Sequence, residues 1–190
     1  VRLAGHPVTA TAPAVLARLR VLVPQEAYVF AGTVADNLRY LDPGTDDRAV
    51  WEAARRLGAE ALLRRLGGLD GWLEPTTLSA GERQLVAAIR AYLSPAPIAI
   101  LDEATCHLDP IAEARVEQAF AERPGTLVVV AHRITSALRA RRVLVLDGAT
   151  PVFGTHAEVL RRSAAYRELV GHWETVGDRP ERVWPVSRRA

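Results

Sequence analysis

IAILDEATCHLDP, residues 98–110, is the stretch whose reading decides the fold. Four apolar residues, Ile98 to Leu101, run directly into the adjacent carboxylates Asp102 and Glu103. An apolar run this short, preceded by Pro95 and Pro97 and closed by charge, reads as a parallel strand buried on both faces. A buried helix segment has the same local pattern. As a strand, it puts the two acids at its C-terminal end, where ligands bind in open α/β sheets. One acid there can hold a hydrated Mg²⁺ while the other orients or deprotonates a water. A solvated strand end carries the same two residues and neither duty.

Downstream, Asp109 and Pro110 suit the N-cap and first turn of a helix reaching about Glu122. Pro124 and Gly125 interrupt it. Thr126 to Ala131, TLVVVA, is a second β-branched strand, with His132 at its C-terminal end. Strand, helix and strand at this spacing form a right-handed parallel unit with both polar ends on one edge. His132 alone fits a structural or surface role equally well. Beside Asp102 and Glu103 it becomes a candidate contact to a terminal phosphate.

Upstream lies LSAGERQLVAAIRAYL, residues 78–93. Ser79 and Glu82 form a capping box, and the helix from Ala80 to Tyr92 aligns Leu85, Ile89 and Leu93 on one stripe. Gly81 removes a Cβ from the first turn, where outward N–H groups and the helix dipole can receive a phosphate oxygen. An ordinary well-capped helix explains the box as well.

From Val34 to about Leu93 the pattern is helical without intervening strands. Asp36 opens a short helix, Asp46 or Asp47 a second running to Leu57, and Glu60 to Leu66 makes a third. Gly67, Gly68 and Gly71 end that run in a loop containing Trp72, so the insert reads as a helical subdomain of about residues 34–94.

Residues 1–9 read as two short strands about a turn at Gly5 and His6, and Ala10 to Arg18 as helical after Pro13. Val21 to Val23 is a brief strand broken by Pro24. Gln25 and Glu26 follow as a loop pair, or as a Gln reaching a ligand at the sheet edge. Toward the C-terminus a helix at Ala137 to Arg141 precedes strands at Val143 to Leu146 and Pro151 to Phe153. Thr155 with Glu158 opens a helix toward Val170, and residues 173–190 read as a polar tail.

At 190 residues and 49% hydrophobic, the chain has enough apolar material for one domain with a sizeable core. Its formal charge of +2 comes from 24 basic and 22 acidic residues spread along the chain, with no block that tracks a nucleic-acid backbone. The single cysteine, Cys106, excludes an internal disulfide. No apolar run approaches the ~20 residues of a membrane span, and no secretory signal opens the chain. There is no repeat, zinc spacing or G-x-S-x-G motif. The chain contains no Met and begins at Val1, which reads as an unusual start or a fragment.

Taken in order, these motifs resemble the nucleotide-binding domain of ABC transporters, exporter type. Gln25 in VPQEAYVFAGTVADNL looks like the Q-loop, and LSAGERQ is similar to the family signature LSGGQRQ. Ile98 to Glu103 resembles the Walker B strand with its catalytic glutamate, Leu108 and Asp109 the D-loop, and His132 the switch histidine. The likeness covers about residues 1–170. It implies an α/β, P-loop NTPase-like parallel sheet with an inserted helical subdomain. It also implies ATP and Mg²⁺ as ligands, Asp102 and Gln25 at the metal, and Glu103, His132 and Gln25 as catalytic residues. Ser79, Ala80 and Gly81 would bind nucleotide held by a second ABC ATP-binding domain, with Asp109 at that interface. Transmembrane permease domains, fused or separate, would be the further partners. The implied location is the cytoplasmic face of the cell membrane, with no role for nucleic acid.

Three departures stand out. Ala80 replaces a signature Gly, Glu82 replaces a Gln, and no G-x-x-x-x-G-K-[ST] loop occurs in the sequence. In the family that loop precedes the strands seen here at residues 1–8, so the chain reads as N-terminally incomplete. The expectations are weak ATP binding and hydrolysis by the chain alone, and an unpaired apolar edge beside Ile98 to Leu101. Two alternatives are a non-hydrolytic cassette lending its signature helix to a partner, and a soluble ABC-type ATPase without a membrane partner.

Overall fold

The computed structural model describes residues 2–3, 5–131, 133–148 and 150–175. It divides into two units, residues 1–130 and 131–190.

The first unit opens with β1 (Arg2–Leu3) and β2 (His6–Pro7), paired antiparallel about Gly5 at φ +82. Pro13, with φ preset for a first helical turn, starts α1 (Pro13–Leu19), which runs into β3 (Arg20–Val23). Then come β4 (Gly32–Thr33), α2 (Val34–Leu38), α3 (Asp47–Leu57), α4 (Glu60–Arg65), β5 (Trp72–Leu73) and α5 (Ala80–Leu93). The unit closes with β6 (Ile98–Asp102), α6 (Pro110–Glu122) and β7 (Thr126–Val130).

Three parallel strands in the order β3-β6-β7 form the sheet. The register lines up Val21, Ala99 and Leu127, then Val23, Leu101 and Val129. These six face the main core, together with Val86 and Ile89 of α5 and Val116 of α6. The alternate row, Leu22, Ile100 and Val128, lies on the other face, where Leu22 is 50% and Val128 43% exposed. The expectation of burial on both faces is therefore corrected: among the described residues Ala99 and Leu101 are buried, while Ile98 and Ile100 on the other face stay partly exposed.

The expected unpaired edge is corrected as well. β6 has β3 on one side and β7 on the other, because α6 returns the chain so that all five residues of β6 pair in parallel with β7.

Helix α5 contacts α2, α3 and β3, and its buried set is Gln84, Val86, Ala87, Ala88, Ile89 and Ala91. The stripe of Leu85, Ile89 and Leu93 was too narrow a reading. A helix enclosed by several neighbours buries more than one face, and the alanines permit the close approach.

Two local expectations also change. Trp72 lies in a strand, not a loop, since Trp72–Leu73 pairs antiparallel with Gly32–Thr33. Helix α2 starts at Val34 because Thr33 is its cap and Asp36 completes a capping box at the third helical position.

In the second unit, α7 (Ile134–Arg139), β8 (Val143–Val145), β9 (Val152–Gly154), α8 (His156–Arg162) and α9 (Ala164–Thr175) surround a small core of Ile134, Val143, Val159 and Tyr166. β8 and β9 pair antiparallel. The single helix expected from Thr155 to Val170 is two. Ser163 is extended at φ −112 and ψ 120, and its Oγ accepts the Tyr166 N–H at 3.1 Å, which starts α9 afresh. No helix among the described residues is long and apolar enough to cross a membrane.

Candidate nucleotide site

At the end of β6, Asp102 is exposed and Glu103 partly buried. The Glu103 N–H donates to the Val130 carbonyl at 2.9 Å, one step beyond the β6–β7 ladder, and the chain then turns sharply. The Cys106 N–H returns to the Glu103 carbonyl at 3.1 Å and the Leu108 N–H to that of Thr105 at 3.0 Å. Glu103 sits at φ +48, the only non-glycine in the left-handed region among the described residues. That conformation costs a side chain with a Cβ on the order of 1–2 kcal/mol. Buried Ala104, Thr105 and Leu108 hold the turn in place. Asp109 then caps α6, accepting the Ile111 and Ala112 N–H groups at 2.9 and 3.0 Å.

Gln25 is exposed two residues beyond β3, and the parallel register puts it on the sheet edge that carries Asp102 and Glu103. His132 lies outside the described residues.

The N-terminus of α5 meets the turn after Glu103. Ser79 Oγ accepts the Glu82 N–H at 3.2 Å, and Glu82 Oε2 accepts the Ser79 N–H at 2.8 Å, completing the expected box. The Ser79 backbone N–H holds the Glu82 carboxyl below the usual carboxylate range, and the Arg65 guanidinium pairs with it.

Gly81 has a second reason to lack a side chain. A Cβ there would stand 2.9 Å from the His107 carbonyl oxygen and 3.4 Å from Leu108 Cδ2. Gly81→Ala gains about 1 kcal/mol of helix propensity but forces backbone apart at a cost of about 1–3 kcal/mol. The overlap wins because its nearest atom is main chain. The expected result is net destabilisation with faster hydrogen exchange at the Leu108 amide, read in the native polypeptide.

Two residues that sequence reasoning left without a role organise these loops. Gln84 is 1% exposed. Its Oε1 accepts the His107 N–H at 3.0 Å, while its Nε2 donates to the Gln25 carbonyl at 3.3 Å. The same Nε2 lies 3.0 Å from His107 Nδ1 and 3.2 Å from Cys106 Sγ. Gln84 directly follows Glu82 and Arg83 in the sequence, so no local pattern marks it for burial.

Further along α5, Arg90 donates to the Asn37 carbonyl at 2.7 Å, Asn37 Oδ1 at 3.1 Å and the Tyr28 carbonyl at 2.9 Å. Its guanidinium lies 5.7 Å from the ring centroids of both Phe30 and Tyr40. Burial lowers its pKa from the ordinary arginine value, yet an arginine stays charged. Asn37 binds the Phe30 N–H and carbonyl, so α5 pins residues 28–37 from inside.

Among the described residues no group of three or more His, Cys, Asp or Glu gathers as a metal cage. Mg²⁺ commonly keeps several waters and takes only one or two carboxylates besides substrate phosphates. The exposed Asp102 carboxylate at a strand end fits such partial, water-mediated holding.

Comparison with known proteins agrees with this geometry. The family model described as ABC transporter matches residues 1–106. The chain is 60% identical over 175 residues to the ABC transporter ATP-binding protein RamB of Streptomyces coelicolor, covering 92% of this chain and 29% of that protein. It is 36% identical over 168 residues to the glutathione/L-cysteine transport system ATP-binding/permease protein CydC of Escherichia coli, covering 86% of this chain and 29% of that one. The structure of a bacterial Atm1-family ABC exporter with ATP bound superposes with a TM-score of 0.82 at 28% identity, covering 90% of this chain and 31% of that chain. The chain thus spans 29% of the length of each of these two curated relatives.

Proposed function

This chain belongs to the ABC transporter family, and on that premise we propose that it is the ATP-binding component of a membrane exporter, coupling ATP binding and hydrolysis to transport. The observation that carries the proposal is the joining of three segments at one sheet edge. Gln25 follows β3, Asp102 and Glu103 end β6, and the capped start of α5 packs through Gly81 against the turn after Glu103.

In this reading Glu103 orients and deprotonates the attacking water, with its carboxylate directed by the left-handed turn. Asp102 and Gln25 hold a hydrated Mg²⁺, which supplies charge neutralisation on the nucleotide phosphates. Gln25 also contacts the region of the terminal phosphate, a role that the family resemblance assigns to His132 as well. Ser79, Ala80 and Gly81 present helix N-terminal N–H groups to nucleotide on a second ATP-binding domain, with Asp109 at the shared face. Permease domains then convert closure and reopening of the pair into substrate movement at the cytoplasmic face of the membrane. The 34–94 segment acts as the helical subdomain that meets them.

No G-x-x-x-x-G-K-[ST] loop lies within these 190 residues. Without its backbone cradle and lysine, most contacts to the phosphates are missing. The purified 190-residue chain is therefore expected to show no MgATP binding at micromolar nucleotide in equilibrium titration. Micromolar binding by the chain alone would contradict this assignment of roles. Binding without turnover by the native polypeptide would favour a non-hydrolytic cassette.

A further inference from the structure

We propose that Gln84 is a positioning residue for the hydrolysis described above, registering the loop after β3 and the turn after β6 against the same helix; the proposal rests on that functional reading. The orientation of its amide follows from its two main-chain partners. Oε1 accepts the His107 N–H at 3.0 Å, so Nε2 faces the Gln25 carbonyl at 3.3 Å. A flipped amide would set N–H against N–H and oxygen against oxygen. With Nε2 a donor, His107 Nδ1 at 3.0 Å has to accept, which puts the imidazole proton on Nε2 of His107. Two amide hydrogens thus serve three acceptors, the third being Cys106 Sγ at 3.2 Å.

The partners are remote in sequence, 59 residues back at Gln25 and 23 forward at His107. They are close in role. The loop behind one carries Gln25, and the turn ending at the other begins with Glu103. Gln84 stands less than one helical turn after Gly81, whose missing Cβ admits the His107 carbonyl at close range. A buried amide stripped of its partners is destabilising, so displacing either loop alone is penalised and the two move together with α5. Arg90, on the same helix, pins a different stretch, bonding Asn37 and the Tyr28 carbonyl. The geometry therefore gives Gln84 its effect through the placement of Gln25 and Glu103, and so on the catalytic step.

The test uses the native polypeptide. Gln84→Met keeps the volume and removes every polar contact. Gln84→Glu keeps an oxygen for the His107 N–H and sets another oxygen against the Gln25 carbonyl. The expected result for both is a kcat for ATP lowered roughly tenfold or more, with KM changed by less than about threefold. The His107 amide exchanges faster in Gln84→Met and stays protected in Gln84→Glu, a difference that a purely space-filling role would not produce. A kcat within about twofold of the unmodified protein in a folded variant overturns the proposal, and whichever variant folds decides it. If the unmodified polypeptide turns over no ATP, the functional reading fails instead. The His107 exchange rates then decide the positioning alone: unchanged protection in Gln84→Met overturns it.

Discussion

Glu103→Gln in the native polypeptide is expected to lower the rate of ATP hydrolysis by about 10²- to 10⁴-fold, the range supplied by a positioned general base, and to leave ATP binding in place. The substitution changes one oxygen into an amide. The backbone N–H that donates to the Val130 carbonyl at 2.9 Å is untouched, and so is the turn closed by the Cys106 N–H at 3.1 Å. Charge and basicity are lost while shape is kept. A companion variant separates chemistry from conformation. Asn tolerates positive φ better than Glu, so at φ +48 Glu103→Asn should raise the thermal midpoint while also abolishing turnover. Backbone strain kept at a position whose side chain does the chemistry is the pattern expected of a functional turn. Phosphate release at saturating MgATP measures the first effect and a thermal melt the second. Turnover within tenfold of the unmodified protein in Glu103→Gln would remove Glu103 from the catalytic role.

Gly125→Ala is expected to lower stability by about 4 kcal/mol, the sum of an unfavourable backbone conformation and a hard overlap. Gly125 has φ +116, and a Cβ there would come 2.1 Å from the Pro97 carbonyl oxygen. That same oxygen accepts the Thr126 N–H at 2.9 Å, the first link between the segment before β6 and the start of β7. Relieving the overlap therefore breaks the contact that sets the β6–β7 register. A control sits at Gly68, where φ is +78 but nothing lies within 4 Å of an added Cβ. Gly68→Ala should cost only about 1 kcal/mol, the conformational part alone. Chemical denaturation of the two variants, with exchange at the Thr126 amide, distinguishes the costs. Equal losses would mean that the overlap is absorbed and the register is held elsewhere.

Much of the architecture was legible because it is written locally. Ser79 with Glu82, Thr155 with Glu158, Asp46 before α3 and Asp109 with Pro110 each begin a helix as their spacing says, since capping needs only neighbours three residues apart. The place of Asp102 and Glu103 at a strand end was legible from the apolar run that precedes them. What sequence missed depends on partners far along the chain. Gln84 gains its meaning from Gln25 and His107, and Arg90 from Asn37, 53 residues away. The short pairing of Trp72–Leu73 with Gly32–Thr33 has no local periodicity to reveal it. The break at Ser163 was hidden because a helix-compatible pattern continues on both sides of a serine that caps the second helix. The left-handed Glu103 was invisible for a different reason. Glutamate carries no propensity for that conformation, so only the turn built around it by Ala104, Thr105 and Leu108 imposes it.

The central claim is that these residues belong to a subunit that turns ATP hydrolysis into transport. It is tested most directly by phosphate release from the native polypeptide reconstituted with its permease domains in sealed vesicles, measured beside the Glu103→Gln variant. The account predicts release that saturates with MgATP and is lost in the variant. Release that is absent from the unmodified protein, or unchanged in the variant, would contradict it.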